Sequence, residues 1–244
     1  MKPIYQTGLI GFGFEKKNEL SKETELILAI KRTIRVIIVD NYRFFREALS
    51  QILKNQPDIE VVGEACDGLD ALDMIRKTSA DVVILEPLIP KKDGIDMTRD
   101  IVAMERNIQV LVLTMDTTDH NAFRMLRAGA TGWLPKTVGS DELLQAIHTV
   151  ADGKVYLPER LQRVFAERYV RPESIGQPEE NLSDREFQVM RLLASGKTNR
   201  EISELLFIGV KTVDTHRANL LRKLSLRNNS DITRFAIRNG FISF

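Results

Sequence analysis

Five apolar, β-branched runs alternate with helix-period stretches through the first two-thirds of the chain. The first, IRVIIVD at residues 34–40, is continuous and apolar and ends on a carboxylate, as expected of a strand covered on both faces. Glu60–Val62, Val82–Leu85, Gln109–Leu113 and the shorter Gly132–Leu134 resemble it. Between them, Tyr42–Lys54, Gly68–Lys77, Gly94–Glu105, Asp119–Ala128 and Ser140–Asp152 carry apolar residues at helical spacing. Strand and helix in alternation predict an α/β domain, a five-stranded parallel sheet with helices on both faces. Ligands in such sheets gather beyond the carboxyl ends of the strands. Asp40, Glu86, Thr114 and Lys136 all fall there.

The pattern changes after Gly153. Pro158–Tyr169 reads as a helix with proline in its first turn, and RPESIGQPEEN as a flexible linker. Beyond it, Ser183 with Glu186 and Thr198 with Glu201 match the capping box, in which side chains satisfy unpaired amides at a helix start. Two short helices are followed by a longer one, Val210–Leu224, and by a fourth starting at Ser230 or Asp231 and ending before Gly240. On a helical wheel Val210, Val213, Leu220, Leu221 and Leu224 form one stripe, while Lys211, Thr215, Ala218, Asn219 and Arg222 lie opposite. An apolar back with a polar, cationic front suits entry into the DNA major groove, where Lys, Arg, Asn and Thr reach base edges. The expected division is an extension at 1–33, with Lys22–Arg32 helical, an α/β domain at 34–153, a linker with a helix at 154–180, and an all-α four-helix domain at 181–244.

Composition adds little until the charge is divided. The net charge is +1, but residues 181–244 carry eleven Lys/Arg against six Asp/Glu, a balance of +5 that leaves −4 elsewhere. A basic helical piece fits a polyanion partner. No run approaches the roughly 20 apolar residues of a membrane helix, and the first 33 residues lack the pattern of a secretory leader, so a cytoplasmic protein is expected. Cys66 is the only cysteine, which excludes an intramolecular disulfide and argues against structural zinc.

RVIIVDN, DVVILEPLIPKKDG, LVLTM and GWLPK resemble the receiver domain of bacterial response regulators over roughly Ile34–Gly153. The resemblance implies a flavodoxin-like, doubly wound fold, a phosphoacceptor aspartate after the third strand and two acidic residues holding magnesium after the first. Here Glu86 stands at the phosphoacceptor position and Asn41 at the second acidic position, beside Asp40. Phosphoryl transfer relies on in-line positioning and charge neutralisation. One extra methylene displaces the nucleophile on the order of 1 Å, enough to cost roughly a hundredfold in rate. An amide is also a weaker ligand than a carboxylate for a hard cation. No cofactor is therefore expected, with at most weak magnesium binding at Asp40, Asn41 and Glu86. A longer carboxylate can instead meet Lys136 and Thr114, partners the phosphoryl oxygens would use. Three readings follow: Glu86 imitates the phosphorylated state, the pocket is merely degenerate, or phosphorylation persists. The resemblance makes Thr114 and Trp133 a coupled switch; Trp133 also reads as a packed core aromatic. Pro135 precedes Lys136 rather than following it, so the lysine is expected to be aimed differently.

The stretch from Leu182 to Ile242 resembles the LuxR-type helix-turn-helix of the NarL/FixJ regulators. The resemblance places Asp214, Thr215 and Ala218 at base-reading positions, with Lys211, Thr212, His216, Arg222 and Lys223 near phosphates. Asp214 can accept from cytosine N4 or pair with a neighbouring arginine. Arg217 falls on the apolar side, its stem packed and its head in solvent. Ile232, Phe235, Ala236 and Phe241 divide between the domain core and a dimer contact that pairs two recognition helices. The Gly11-Phe-Gly-Phe stretch lacks phosphate-loop spacing, and His120 and His148 lie away from any nucleophile. The resulting expectation is a DNA-binding transcriptional regulator and not an enzyme, a homodimer on double-stranded DNA without a membrane partner. The alternatives are residual phosphorylation, or a pseudo-receiver controlled by a protein or small-ligand partner.

Overall fold

Strand β1 (Ile34–Val39) lies between β2 and β3 in a sheet ordered β2-β1-β3-β4-β5, every neighbouring pair parallel. The computed structural model describes residues 33–115, 118–170 and 181–242; the expected helix at Lys22–Arg32 and most of the expected linker lie outside them. The other strands are β2 (Ile59–Ala65), β3 (Val82–Leu85), β4 (Gln109–Thr114) and β5 (Gly132–Pro135). The connecting helices are α1 (Arg43–Lys54), α2 (Gly68–Lys77), α3 (Gly94–Ala103), α4 (Asp119–Ala128) and α5 (Ser140–Ala151).

Alternation along the strands divides the core in two. Ile37, Val39, Val83, Leu85, Val110 and Val112 face one side, with Ile75, Met97 and Met125. Val36, Ile38, Ile84, Leu111 and Leu113 face the other, with Leu53 and Ile147. Both faces are covered, which explains why the central strands are apolar without a polar alternate position. Gly94 holds the turn after β3 close: a Cβ there would lie 2.5 Å from the Pro87 Cα. The start of α3 therefore packs directly on the loop that follows Glu86.

Helix α6 (Glu159–Val170) is the helix expected inside the linker, but it packs on the receiver. Leu161 is buried in the first core, and the Phe165 ring stacks on Phe123 with centroids 3.9 Å apart. The peptide before it continues the sheet edge, with Trp133 N donating to Tyr156 O at 3.0 Å and Tyr156 N to Thr131 O at 2.9 Å.

The second domain comprises α7 (Asp184–Ala194), α8 (Asn199–Leu206), α9 (Val210–Lys223) and α10 (Asn229–Arg238) around Phe187, Met190, Ile202, Val213, Leu220, Ile232 and Phe241. Both capping boxes form. Val210, expected on the buried stripe, is 43% exposed because it opens α9 before the helix meets the core. Helix α10 begins at Asn229, earlier than Ser230 or Asp231, because the Asn228 side chain accepts from Asp231 N at 3.0 Å. Ile232, Ala236 and Phe241 belong to the core, with Phe235 packed against it.

Glu186 ties this domain together. It accepts from Ser183 N at 2.7 Å and meets Lys223 Nζ at 2.6 Å, joining the start of α7 to the end of α9. Desolvation alone would raise its pKa, but the Lys223 ammonium and the Ser183 donors outweigh it and hold the carboxyl below its ordinary value. Glu186→Ala should lower the stability of the helical domain by about 1–3 kcal/mol in urea melts, since it leaves an amide and an ammonium without their acceptor. The lowered pKa means that this stabilisation is full above the ordinary carboxyl value of 4.5 and is lost as pH falls through the depressed one. The difference between wild type and Glu186→Gln should therefore shrink on acidification.

Candidate functional site

Backbone ladders bring four strand ends to one point. Glu86 N donates to Val39 O at 2.9 Å, Asp40 N to Ala65 O at 3.1 Å and Lys136 N to Thr114 O at 2.8 Å. Lys136 Nζ lies 2.5 Å from Asp40 Oδ2 and 3.0 Å from Glu86 Oε2. Glu86 Oε1 accepts from Thr114 Oγ1 at 3.0 Å and from Leu88 N at 3.1 Å. Asp40 Oδ1 accepts from Tyr42 N at 2.8 Å. Asp40, Glu86 and Thr114 are buried. Lys136 lies 4.5 Å from the Phe45 ring centroid and 5.2 Å from that of Tyr42, so aromatic faces add to its stabilisation. Contrary to the expectation drawn from Pro135, the lysine reaches the pocket.

Each oxygen of the two buried carboxylates thus has a partner, and the ammonium occupies the position between them. Asn41 is exposed beside them. A divalent ion would have to displace that ammonium from both carboxylates while gaining only an amide in return. These residues do not fit magnesium. Cys66, Asp67 and Asp70 also approach one another, but Asp67 already caps α2 and pairs with Lys91 at 2.6 Å. Trp133, on β5 itself, is 2% exposed and packs into the first core.

On α9, Lys211, Thr212, Asp214, Thr215, Ala218 and Arg222 are exposed and Asn219 is partly buried. Thr215 Oγ1 donates to Lys211 O at 2.9 Å. Asp214 Oδ1 accepts from Asn199 Nδ2 at 2.6 Å, so its partner is a neutral amide on α8 rather than an arginine. Lys223 is paired with Glu186 and donates to Asn181 O at 3.0 Å. Lys223 stays exposed at the end of α9 while making these contacts. His216 is half-buried; desolvation first, then the Arg185 charge, holds its pKa below the ordinary imidazole value. Arg217 Nε donates to Asn229 Oδ1 at 2.6 Å in an exposed contact, which links α9 to α10 while the head stays at the surface.

Sequence reasoning missed the contact between the domains. Arg124 on α4 pairs with Asp184, donates to Leu182 O at 3.0 Å and lies 4.7 Å from the Phe187 ring centroid. Arg99 meets Asp184 at 2.8 Å, and His120 stacks on Phe187 with centroids 4.2 Å apart. Asp93, which caps α3, also accepts from the Gln188 amide. Burial pushes the Asp93 carboxyl up to about 6, opposed by the bond from Ile95 N. Solitary charges on separate amphipathic helices carry no local signal of such pairing.

Two family matches cover the two domains: residues 36–148 match "Response regulator receiver domain" and residues 180–236 match "Bacterial regulatory proteins, luxR family". The transcriptional regulatory protein LiaR of Bacillus subtilis is 34% identical over 210 residues, spanning 86% of this chain and 100% of LiaR. The response regulator UvrY of Escherichia coli is 32% identical, over 85% of this chain and 95% of UvrY. Among solved structures, a two-component response regulator of the LuxR family from Aurantimonas superposes with a TM-score of 0.53 at 29% identity, over 57% of this chain and 99% of that one. The response regulator RcsB in complex with DNA superposes with a TM-score of 0.53 at 25% identity, over 84% of this chain and 98% of that one.

Removing the central cation leaves buried carboxylates facing each other. Lys136→Met should destabilise the receiver by about 3–5 kcal/mol in thermal or urea melts, and adding Glu86→Leu should recover part of the loss. Asp93 gives the fold a pH dependence. With its pKa raised from 3.8 to about 6, chiefly by burial, the folded protein holds a proton that the unfolded chain does not hold between those values, so stability gains as pH falls through about 6. Urea melts at pH 7.5 and pH 5.5 should show this gain, and Asp93→Asn should flatten it.

Proposed function

The chain belongs to the response regulators that join a receiver domain to a LuxR-type DNA-binding domain, and we propose that its receiver is held in the signalling state by Glu86 rather than by a phosphoryl group. The observation that carries this reading is the division of the Glu86 carboxylate. One oxygen takes the Thr114 hydroxyl and the other the Lys136 ammonium. These are a neutral donor and a cation, the pair that a transferred phosphoryl group would engage with its own oxygens.

The same geometry disfavours phosphorylation of Glu86. A nucleophile must offer an oxygen in line to phosphorus, with a cation to neutralise the incoming charge. Here both Glu86 oxygens are engaged, Asn41 replaces a metal-binding acid, and Lys136 holds the cation position. The chain thus retains an acceptor pocket in shape but fills it with its own charges.

Output is sequence-specific binding of double-stranded DNA through α9. Lys211, Thr212, Thr215, Ala218 and Arg222 present an exposed front of donors and one small residue to the major groove. Asp214, held by Asn199, fits an acceptor for cytosine N4. A homodimer sets two such helices about one DNA turn apart; the relative RcsB has been solved as two dimers on two parallel DNAs. No helix among the described residues is long and apolar enough to cross a membrane, and the protein acts in the cytosol beside its DNA.

Unmodified protein should bind its promoter DNA, and acetyl phosphate with magnesium should leave the affinity within about twofold. Glu86→Gln, which discards the charge paired with Lys136, should weaken binding. Thr215→Ala and Arg222→Ala should each cost about 1–3 kcal/mol in gel-shift or anisotropy titrations, and Arg222→Ala should reduce the salt slope by about one. A requirement for phosphorylation, read as binding that appears only with acetyl phosphate, would sink this reading.

A further inference from the structure

Between the strand ends of the receiver and helix α7 lies a cavity of about 210 Å³. Thr114, Met115, Met125 and Trp133 line its receiver side, and Leu192 and Ser195 face them from the helical domain. Glu86 contributes to the floor, but its oxygens are turned to Lys136, Thr114 and Leu88 N. The surface shown to the cavity is therefore mostly carbon and sulfur. At the mouth, Met115 and Leu88 are 66% and 50% exposed although both are large and apolar. Exposed apolar side chains around a concave, apolar space mark a place where something binds.

Size, shape and charge narrow the occupant. A dry apolar cavity of about 150 Å³ accepts benzene, so this one has room for a single substituted ring or a small fused pair. Methionine thioethers are flexible and make favourable contacts with aromatic rings, and Met115 and Met125 both line this site. The charged groups at the site are already engaged, Glu86 by Lys136 and Arg191 through its Nε bond to Phe241 O at 3.2 Å. A charged guest would lose its hydration without a counter-charge. We infer that the cavity is a binding site for a small neutral aromatic molecule that holds the helical domain against the receiver.

The consequence follows from linkage. A guest that touches both domains binds only where they are docked, and at a hundred times its Kd it shifts the docking equilibrium by about a hundredfold. The guest also packs beside Thr114 and Trp133, so it bears on the same strand ends as Glu86. The inference goes beyond the reading of Glu86 and holds whether or not that carboxylate imitates a phosphoryl group; affinity of the unliganded protein for DNA is a separate measurement.

Three probes of one shape and different charge test it on the full chain: benzyl alcohol, benzoate and benzylammonium. Trp133, the only tryptophan in the sequence, reports by its emission, and Met115 and Met125 by their methyl resonances. Millimolar benzyl alcohol should shift all three signals saturably, with the two ions at least about tenfold weaker. Leu192→Phe and Ser195→Phe should each weaken the response about tenfold by filling the space from the helical side. Ser195 is exposed, so its variant keeps the fold even if Leu192→Phe does not. No saturable shift with benzyl alcohol, equal binding of either ion, or a response unchanged in Ser195→Phe would each overturn the inference.

Discussion

The receiver is organised around one buried ammonium. Lys136 lies between Asp40 and Glu86, and those two carboxylates come from strands that meet only because the sheet is parallel and ordered β2-β1-β3-β4-β5. Charges taken out of water are tolerated when every remaining lone pair has a donor. Here the Tyr42 and Leu88 amides and the Thr114 hydroxyl supply those donors. The turns that follow β1 and β3 are thereby fixed to the pocket, and Gly94 allows α3 to close upon the second of them. The two carboxylates of the pocket are thus neutralised from within by one lysine.

A second ion pair plays a comparable part in the helical domain. Glu186 caps α7 and holds Lys223 at the end of the recognition helix. Lys211, Thr212, Thr215, Ala218 and Arg222 are exposed along α9, while its far end is anchored to the core through Lys223 and Glu186. Asn199 and Arg217 add further fixed points, one through Asp214 and the other through Asn229. A reading helix gains specificity when its side chains are held before they meet the groove, and these pairs supply that rigidity.

The domain contact joins the two systems without covering the exposed residues of α9. It runs through Arg124, Asp184, His120 and Phe187, with Asp93 and Gln188 on the neighbouring helix start. Its composition is mixed, charged pairs beside a stacked ring, as in interfaces that open and close. Asp93 is buried beside this contact, and the apolar cavity lined by Trp133 gives it a place for a guest. The receiver therefore has physical means to influence the helical domain even when no phosphoryl group arrives.

Much of this was legible in the chain itself. Uninterrupted apolar runs between helix-period stretches implied a sheet covered on both faces, because period and side-chain direction are local properties of the backbone. Both capping boxes are likewise local, and so were readable at Ser183 and Thr198. The strand-end positions of Glu86, Lys136, Asp40 and Thr114 were legible too. What the sequence left open was where each side chain turns. Pro135 pointed to a misaimed lysine, whereas the ladder bond from Lys136 N to Thr114 O aims it into the pocket. Lys223 and His216 belong to a cationic helix in sequence, yet one is paired with Glu186 and the other has its pKa lowered by burial and Arg185. Helix α6 read as part of a linker until Leu161 and Phe165 found the receiver core. Such outcomes depend on partners tens of residues away. Periodicity determines which face of an element is apolar; only tertiary packing decides which distant charge or ring that face meets.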